Sequence, residues 1–153
     1  KNKDWKLVLV GYDHLKQSNM ENLKKLAEDM GVADQVIFAG KQSEVEKFYL
    51  KSKIFAFTSS SEGFPNAIGE AMSAGLAVIA YDCVAGPSEM ITHDRNGFLI
   101  PLFDDDEFKS KLELLMEQPE LREKFGQNGK EYIAGLSIKL IGEKFYQFIT
   151  SST

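Results

Sequence analysis

The chain has 153 residues, 43% of them hydrophobic and 27% charged, which is enough length and apolar content for one real core and a single globular domain over residues 1–153. A net charge of −5 argues against a nucleic-acid partner and gives no general pull on an anionic ligand, so any grip on phosphate is expected to be local. A solitary Cys83 cannot form an internal disulfide, which fits a reducing, cytoplasmic setting. No apolar run is long enough to span a membrane and no signal peptide is visible.

Trp5 to Val10 reads as a buried strand ending at Gly11. Gly11-Tyr12-Asp13 fails the Gly-x-Gly-x-x-Gly pattern, so a dinucleotide-binding dehydrogenase has no support. From Asn19 to Met30, Leu23, Leu26, Ala27 and Met30 recur at helical spacing, and Gly31 stops the helix. Val36 to Ala39 is a short strand. Ser43 with Glu46 suggests a capping box for a helix whose apolar face is Val45, Phe48 and Tyr49. Ile54 to Thr58 and Ala77 to Tyr81 are further buried strands. Gly86-Pro-Ser-Glu turns into a short helix near Ser88 to Ile91, and Gly97 to Ile100 is the last strand. Asp104-Asp-Asp has no further ligand nearby, so it is read as a capping cluster for a helix from Glu107 to Glu117 rather than a metal site. Pro119 opens a helix with Leu121, Phe125 and Tyr132 inward, ended by Gly135. Ser137 caps a last helix with Ile138, Ile141, Phe145 and Phe148 on one stripe, which either packs on its own sheet or docks elsewhere. Neither His14 nor His93 is given a role.

The chain is organised around Ser59 to Asp82. Gly63 is expected to allow a backbone closed to other residues, Pro65 fixes its φ near the helical value, and Asn66 is a good N-cap, so a helix should begin at Pro65 to Ala67. Gly75 stands where a left-handed C-terminal residue belongs. Strand, helix and strand then form a βαβ unit whose loop and helix N-terminus open at the carboxyl edge of the sheet. A diphosphate suits that helix N-terminus. Carboxylates repel phosphate, but Glu62 in the loop and Glu70 a turn into the helix can each accept paired hydrogen bonds from vicinal hydroxyls. A phosphate cradle between two diol receptors describes a nucleotide-sugar site. The bland alternatives are a solvated loop charge for Glu62 and a helix-start preference for Glu70. Ser88 and Glu89 carry a weaker functional reading of the same kind, against a capped helix start.

Glu62-Gly-Phe-Pro-Asn-Ala-Ile-Gly-Glu70, with Ala-Met-Ser-Ala-Gly-Leu-Ala-Val-Ile-Ala after it and later Gly86-Pro-Ser-Glu-Met-Ile and Asn96-Gly-Phe-Leu-Ile-Pro, resembles the donor-binding lobe of glycosyltransferase family four. The resemblance covers nearly the whole chain. It implies a retaining enzyme of the GT-B fold, with this chain as its C-terminal, Rossmann-like lobe: a mainly parallel α/β sheet flanked by helices. It implies that Glu70 binds the ribose, that Glu62 lies at the donor sugar as the catalytic candidate, and that Gly63, Phe64, Pro65, Asn66 and Ala67 bring backbone amides to sugar and diphosphate. No cofactor or metal is expected, the donor being a nucleotide-diphosphate sugar.

The chain departs from that family in lacking an N-terminal acceptor-binding lobe, a first strand of this lobe, and the Arg and Lys that would hold the diphosphate. It therefore reads as a fragment in which neighbouring strands either close a gap or leave an edge. Membrane contact is expected only through the missing lobe. Two readings follow: the donor lobe of a glycosyltransferase acting in polysaccharide or glycan synthesis, inactive by itself, or a non-catalytic module that binds a nucleotide sugar or a partner lobe.

Overall fold

In the computed structural model, which describes residues 2–12, 18–84, 86–136 and 138–151, every strand pairing is parallel. The chain divides into two compact units, Lys1–Val45 and Glu46–Thr153. The five strands expected in one sheet hydrogen-bond as two groups, one in each unit. His14 and Ser137 lie outside the described residues.

The first unit holds β1 (Leu7–Val10), α1 (Ser18–Asp29), a 3-10 turn (Ala33–Gln35) and β2 (Val36–Gly40), with Leu7 opposite Val36. Strand β1 begins at Leu7 rather than Trp5 because the ladder starts there. The Trp5 carbonyl instead accepts the Gln35 side-chain amide at 3.1 Å. Of the expected apolar face of α1, Ala27 is buried while Leu23, Leu26 and Met30 are exposed. One helix and two strands offer too little apolar surface to cover them within this unit.

The second unit contains α2 (Glu46–Lys51), β3 (Ile54–Phe57), α3 (Asn66–Ala74), β4 (Ala77–Asp82), α4 (Pro87–Met90), β5 (Gly97–Pro101), α5 (Asp105–Glu117), α6 (Pro119–Ala134) and α7 (Ile138–Ser151), with strand order β3-β4-β5. Glu46 is the first helical residue of α2, so Ser43 of the expected capping box falls two residues before the N-cap position. Strand β4 is central and buried on both faces, as a near-continuous apolar run in a parallel sheet should be. Its alternate side chains feed two cores. Val78 and Ala80 pack with Ile68, Ala71 and Met72 of α3, while Ala77, Ile79 and Tyr81 pack with Phe108 and Leu115 of α5 and Phe125 of α6. Phe98 and Phe125 meet edge to face, 5.0 Å apart.

Helix α3 ends as its sequence requires: Gly75 is left-handed at φ 82°, and the Leu76 N–H donates to the Ala71 carbonyl at 3.0 Å. Helix α6 crosses α3 so closely that a Cβ on Gly126 would lie 2.2 Å from the Gly75 carbonyl oxygen. Helix α7 leaves Ile141 and Phe148 of its expected stripe exposed; the side chains of Ile138 and Phe145 lie outside the described residues.

Candidate functional site

The segment that carries the two glutamates follows the carboxyl end of β3. Ser61 bridges to Val84 in parallel, which carries the β3–β4 pairing outward and sets Glu62 at the start of the loop into α3. Glu62 is half-buried. Gly63 and Phe64 are exposed, Pro65 is buried, Asn66 is exposed and Ala67 half-buried. Buried Pro65 anchors this turn against the loop that follows β4: a Cβ on Gly86 would sit 2.3 Å from the Pro65 Cδ, and Gly86 has φ 135°. Only glycine fits there, for both space and backbone.

Two details differ from expectation. The N-cap of α3 is Pro65, without a side-chain cap bond, and Asn66 is the first helical residue. The Asn66 N–H turns back to the Phe64 carbonyl at 2.9 Å, so with the tight turn made by Pro65 the helix starts one residue earlier than an Asn66 cap would set it. Gly63 is not among the glycines with positive φ, and a Cβ there would meet nothing within 4 Å. Its backbone is open to other residues, and what it leaves is free space over the chain.

Glu70 lies one turn inside α3, exposed, and its Oε2 accepts the Tyr49 hydroxyl at 3.1 Å. Burial first, then this hydrogen bond and the carboxylate charge, push the Tyr49 phenol from 10.0 up to about 12. Among the described residues no hydrogen bond or ion pair joins Glu62 to Glu70. The two carboxylates stand apart as separate acceptors at the loop and on the helix. Among the described residues the Gly63 and Phe64 amides make no backbone hydrogen bond, so the ledge between the carboxylates offers donors. Depressions of 490 Å³, lined by Pro101 to Asp106, and 280 Å³, lined by Tyr49, Leu50 and Arg122 among others, lie elsewhere. Along the chain the two acceptors flank the Gly63 and Phe64 amides, an order suited to a ligand with hydroxyls at both ends and an anion between them.

The connection from α4 into β5, which enters the sheet at the opposite, amino edge, is held by side chains. Asn96, almost fully buried, donates to the Met90 carbonyl at 3.0 Å and accepts the Thr92 N–H at 2.8 Å, which braces the turn into β5. Tyr132 donates to the Glu89 carbonyl at 2.5 Å. Helix α4 has Gly86 as its N-cap and no side-chain cap, so Ser88 does not cap it; Ser88 and Glu89 are exposed. His93 Nδ1 lies 2.8 Å from the Leu99 carbonyl, in keeping with a structural ring. Asp104 caps α5 by accepting the Glu107 N–H at 3.0 Å, and Asp105 accepts the Tyr81 hydroxyl. Among the described residues no group of three or more His, Cys, Asp and Glu side chains is placed to hold a metal ion. The residue that sequence reading passed over is Tyr49, placed only on an apolar face; its spacing from Glu70 carries no local signal, because α2 and α3 are brought together by packing.

A parallel α/β unit that gathers such loops beyond the carboxyl ends of its strands defines a Rossmann-like domain. The chain belongs to the group 1 glycosyl transferases, whose family pattern, described as "Glycosyl transferases group 1", matches residues 1–132. It is similar to the amylovoran biosynthesis glycosyltransferase AmsD of Erwinia amylovora, with 29% identity over 141 residues, 92% of this chain and 38% of that one. Among solved structures it is similar to the C-terminal domain of the group 1 family protein LpcC from Francisella tularensis, with 30% identity, a TM-score of 0.80, and coverage of 88% of this chain and 70% of that one. HepE from Anabaena in complex with UDP shares the fold, with a TM-score of 0.85 at 22% identity over 96% of this chain and 41% of that one. The chain spans about a third of the length of the curated relatives it matches, 32% of one and 38% of another.

Proposed function

We propose that residues 1–153 act as one domain, the donor-binding C-terminal lobe of a retaining GT-B glycosyltransferase of family four. It would hold a nucleotide-diphosphate sugar and pass the sugar to an acceptor hydroxyl in polysaccharide synthesis. The observation that carries this reading is the ledge at the carboxyl edge of β3, with Glu62 in the loop, Glu70 on α3 and the Gly63 and Phe64 amides between them. AmsD, named for amylovoran biosynthesis, and HepE, solved with UDP, support the substrate class and make UDP the first ligand to try.

In this reading the Glu70 carboxylate accepts the ribose diol, and amides from Gly63 to Ala67 face the sugar and diphosphate. Glu62 lies at the donor sugar, where its charge offsets positive charge developing at the anomeric carbon, and no metal is needed. The acceptor and any general base belong to another lobe, so residues 1–153 alone bind donor without transferring sugar. Among the described residues no helix is long and apolar enough to cross a membrane, and peripheral association through another lobe is part of the same proposal.

Calorimetry with UDP and a UDP-sugar tests the division of labour. Glu70→Ala should weaken both ligands alike, by about 1.5–3 kcal/mol less whatever solvent exposure removes, since it deletes hydrogen bonds to a charged acceptor. Glu62→Ala should spare UDP and weaken only the UDP-sugar. Equal losses of UDP affinity in the two variants would reduce the site to a generic acidic rim.

A further inference from the structure

The Tyr49–Glu70 contact joins a side chain held in the core to one at the open edge. Tyr49 stands on α2, half-buried, with its ring edge-on to Phe55 at 5.7 Å and 71°, and it packs against the core cluster built on Ile68, Met72 and Val78. A phenol has few rotatable bonds, so a ring fixed by packing presents its hydroxyl at a defined point with little further loss of entropy. Glu70, by contrast, is an exposed side chain with three rotatable bonds. Left alone it would sample many rotamers, and a diol receptor that must be ordered on binding loses affinity.

We propose that Tyr49 is a positioning residue for Glu70. Its hydroxyl donates to Oε2 and fixes the carboxylate, leaving Oε1 and the second Oε2 lone pair for the vicinal hydroxyls of a ribose. This inference rests on the reading of Glu70 as the ribose receptor. Among the described residues Tyr49 is the one side-chain donor to this carboxylate. The high phenol pKa keeps the hydroxyl protonated, and so a donor, across the whole neutral range.

A purely structural Tyr49 would lower affinity for every ligand equally, or for none; a positioning Tyr49 acts only through the ribose hydroxyls. The test measures binding of UDP and of its 2′,3′-dideoxy counterpart to the full protein, as wild type, Tyr49→Phe, Glu70→Ala and the double variant, with thermal melting as the check on folding. We expect Tyr49→Phe to weaken UDP about three- to tenfold, the scale of one hydrogen bond, and to leave the dideoxy ligand within about twofold. In the double variant the Tyr49→Phe effect should vanish, because the group it positions is gone. Equal weakening of both ligands by Tyr49→Phe, or a Tyr49→Phe loss that persists on the Glu70→Ala background, overturns the inference. So does a Tyr49→Phe variant that binds UDP like wild type while Glu70→Ala does not, and this outcome leaves the Glu70 reading intact. A Glu70→Ala protein with unchanged UDP affinity removes both.

Discussion

Gly63 and Gly86 show how one residue type serves opposite ends. Gly86 is glycine because the chain leaves no alternative: φ is 135° and Pro65 occupies the place of a Cβ. Gly63 answers to no such demand, having neither a positive φ nor a neighbour within 4 Å of a Cβ. In the proposed donor site, a glycine that the fold does not require would let a ligand approach the backbone closely at this exposed turn. Gly63→Ala should therefore leave stability within about 0.5 kcal/mol of wild type, as for other exposed positions, while weakening the binding of a nucleotide sugar. Denaturant unfolding and calorimetry separate the two effects, and a variant that binds as wild type would show that the ledge is not approached at this point.

Helices α3 and α6 meet through small residues. A Cβ on Gly126 would lie 2.2 Å from the Gly75 carbonyl oxygen, and one on Gly129 would lie 3.2 Å from the Met72 side chain. Alanine is the better helix former by about 1 kcal/mol, but the obstacle at Gly126 is backbone in a left-handed cap and cannot swing aside. The overlap wins, and Gly126→Ala should destabilise by about 1–3 kcal/mol, typical of overpacking. Gly142, within α7, has nothing within 4 Å of a built Cβ. There only the propensity term operates, and Gly142→Ala should stabilise α7 by up to about 1 kcal/mol where that helix is part of the cooperative unit. Opposite signs in urea unfolding are the outcome expected; a Gly126→Ala protein at least as stable as wild type would mean that the closeness of α3 and α6 has no energetic weight.

At the scale of the molecule, among the described residues every buried hydrophobic except Ala27 lies in the Glu46–Thr153 unit, so stability is concentrated around β4. Two tyrosines tie that stability to pH. Tyr81 is raised from 10.0 to about 12, first by its hydrogen bond to Asp105, then by burial and by the charges of Asp105 and Asp104. Tyr49 is raised to about 12 by burial first, then by Glu70. Between about pH 10 and pH 12 the folded chain holds protons that the unfolded chain has lost, so stability is fully present below pH 10 and falls as pH rises toward 12. Melting temperature followed from pH 8 to pH 11 should begin to drop near pH 10. Tyr81→Phe should be less stable than wild type at pH 8 yet lose less above pH 10, and a variant curve parallel to the wild type would contradict this source of the alkaline loss.

Much of this was legible in residues alone, for reasons of short range. Apolar runs too short for helices gave β3, β4 and β5 to within a residue or so, Gly75 marked the end of α3, and Asp104 the start of α5, because each of these signals acts within one turn of chain. The two glutamates were visible as a spaced pattern around a helix start. What lay beyond reach depended on residues far apart in the chain becoming neighbours. Tyr49 meets Glu70 across two helices, Pro65 fills the space that makes Gly86 obligatory, and the Trp5 carbonyl is taken by Gln35, so β1 starts two residues late. The division of five parallel strands into two hydrogen-bonded groups belongs to the same kind. Local sequence sets which segments become strands, whereas ladder partners are chosen by which edges packing brings within hydrogen-bonding distance, and only the tertiary structure decides that.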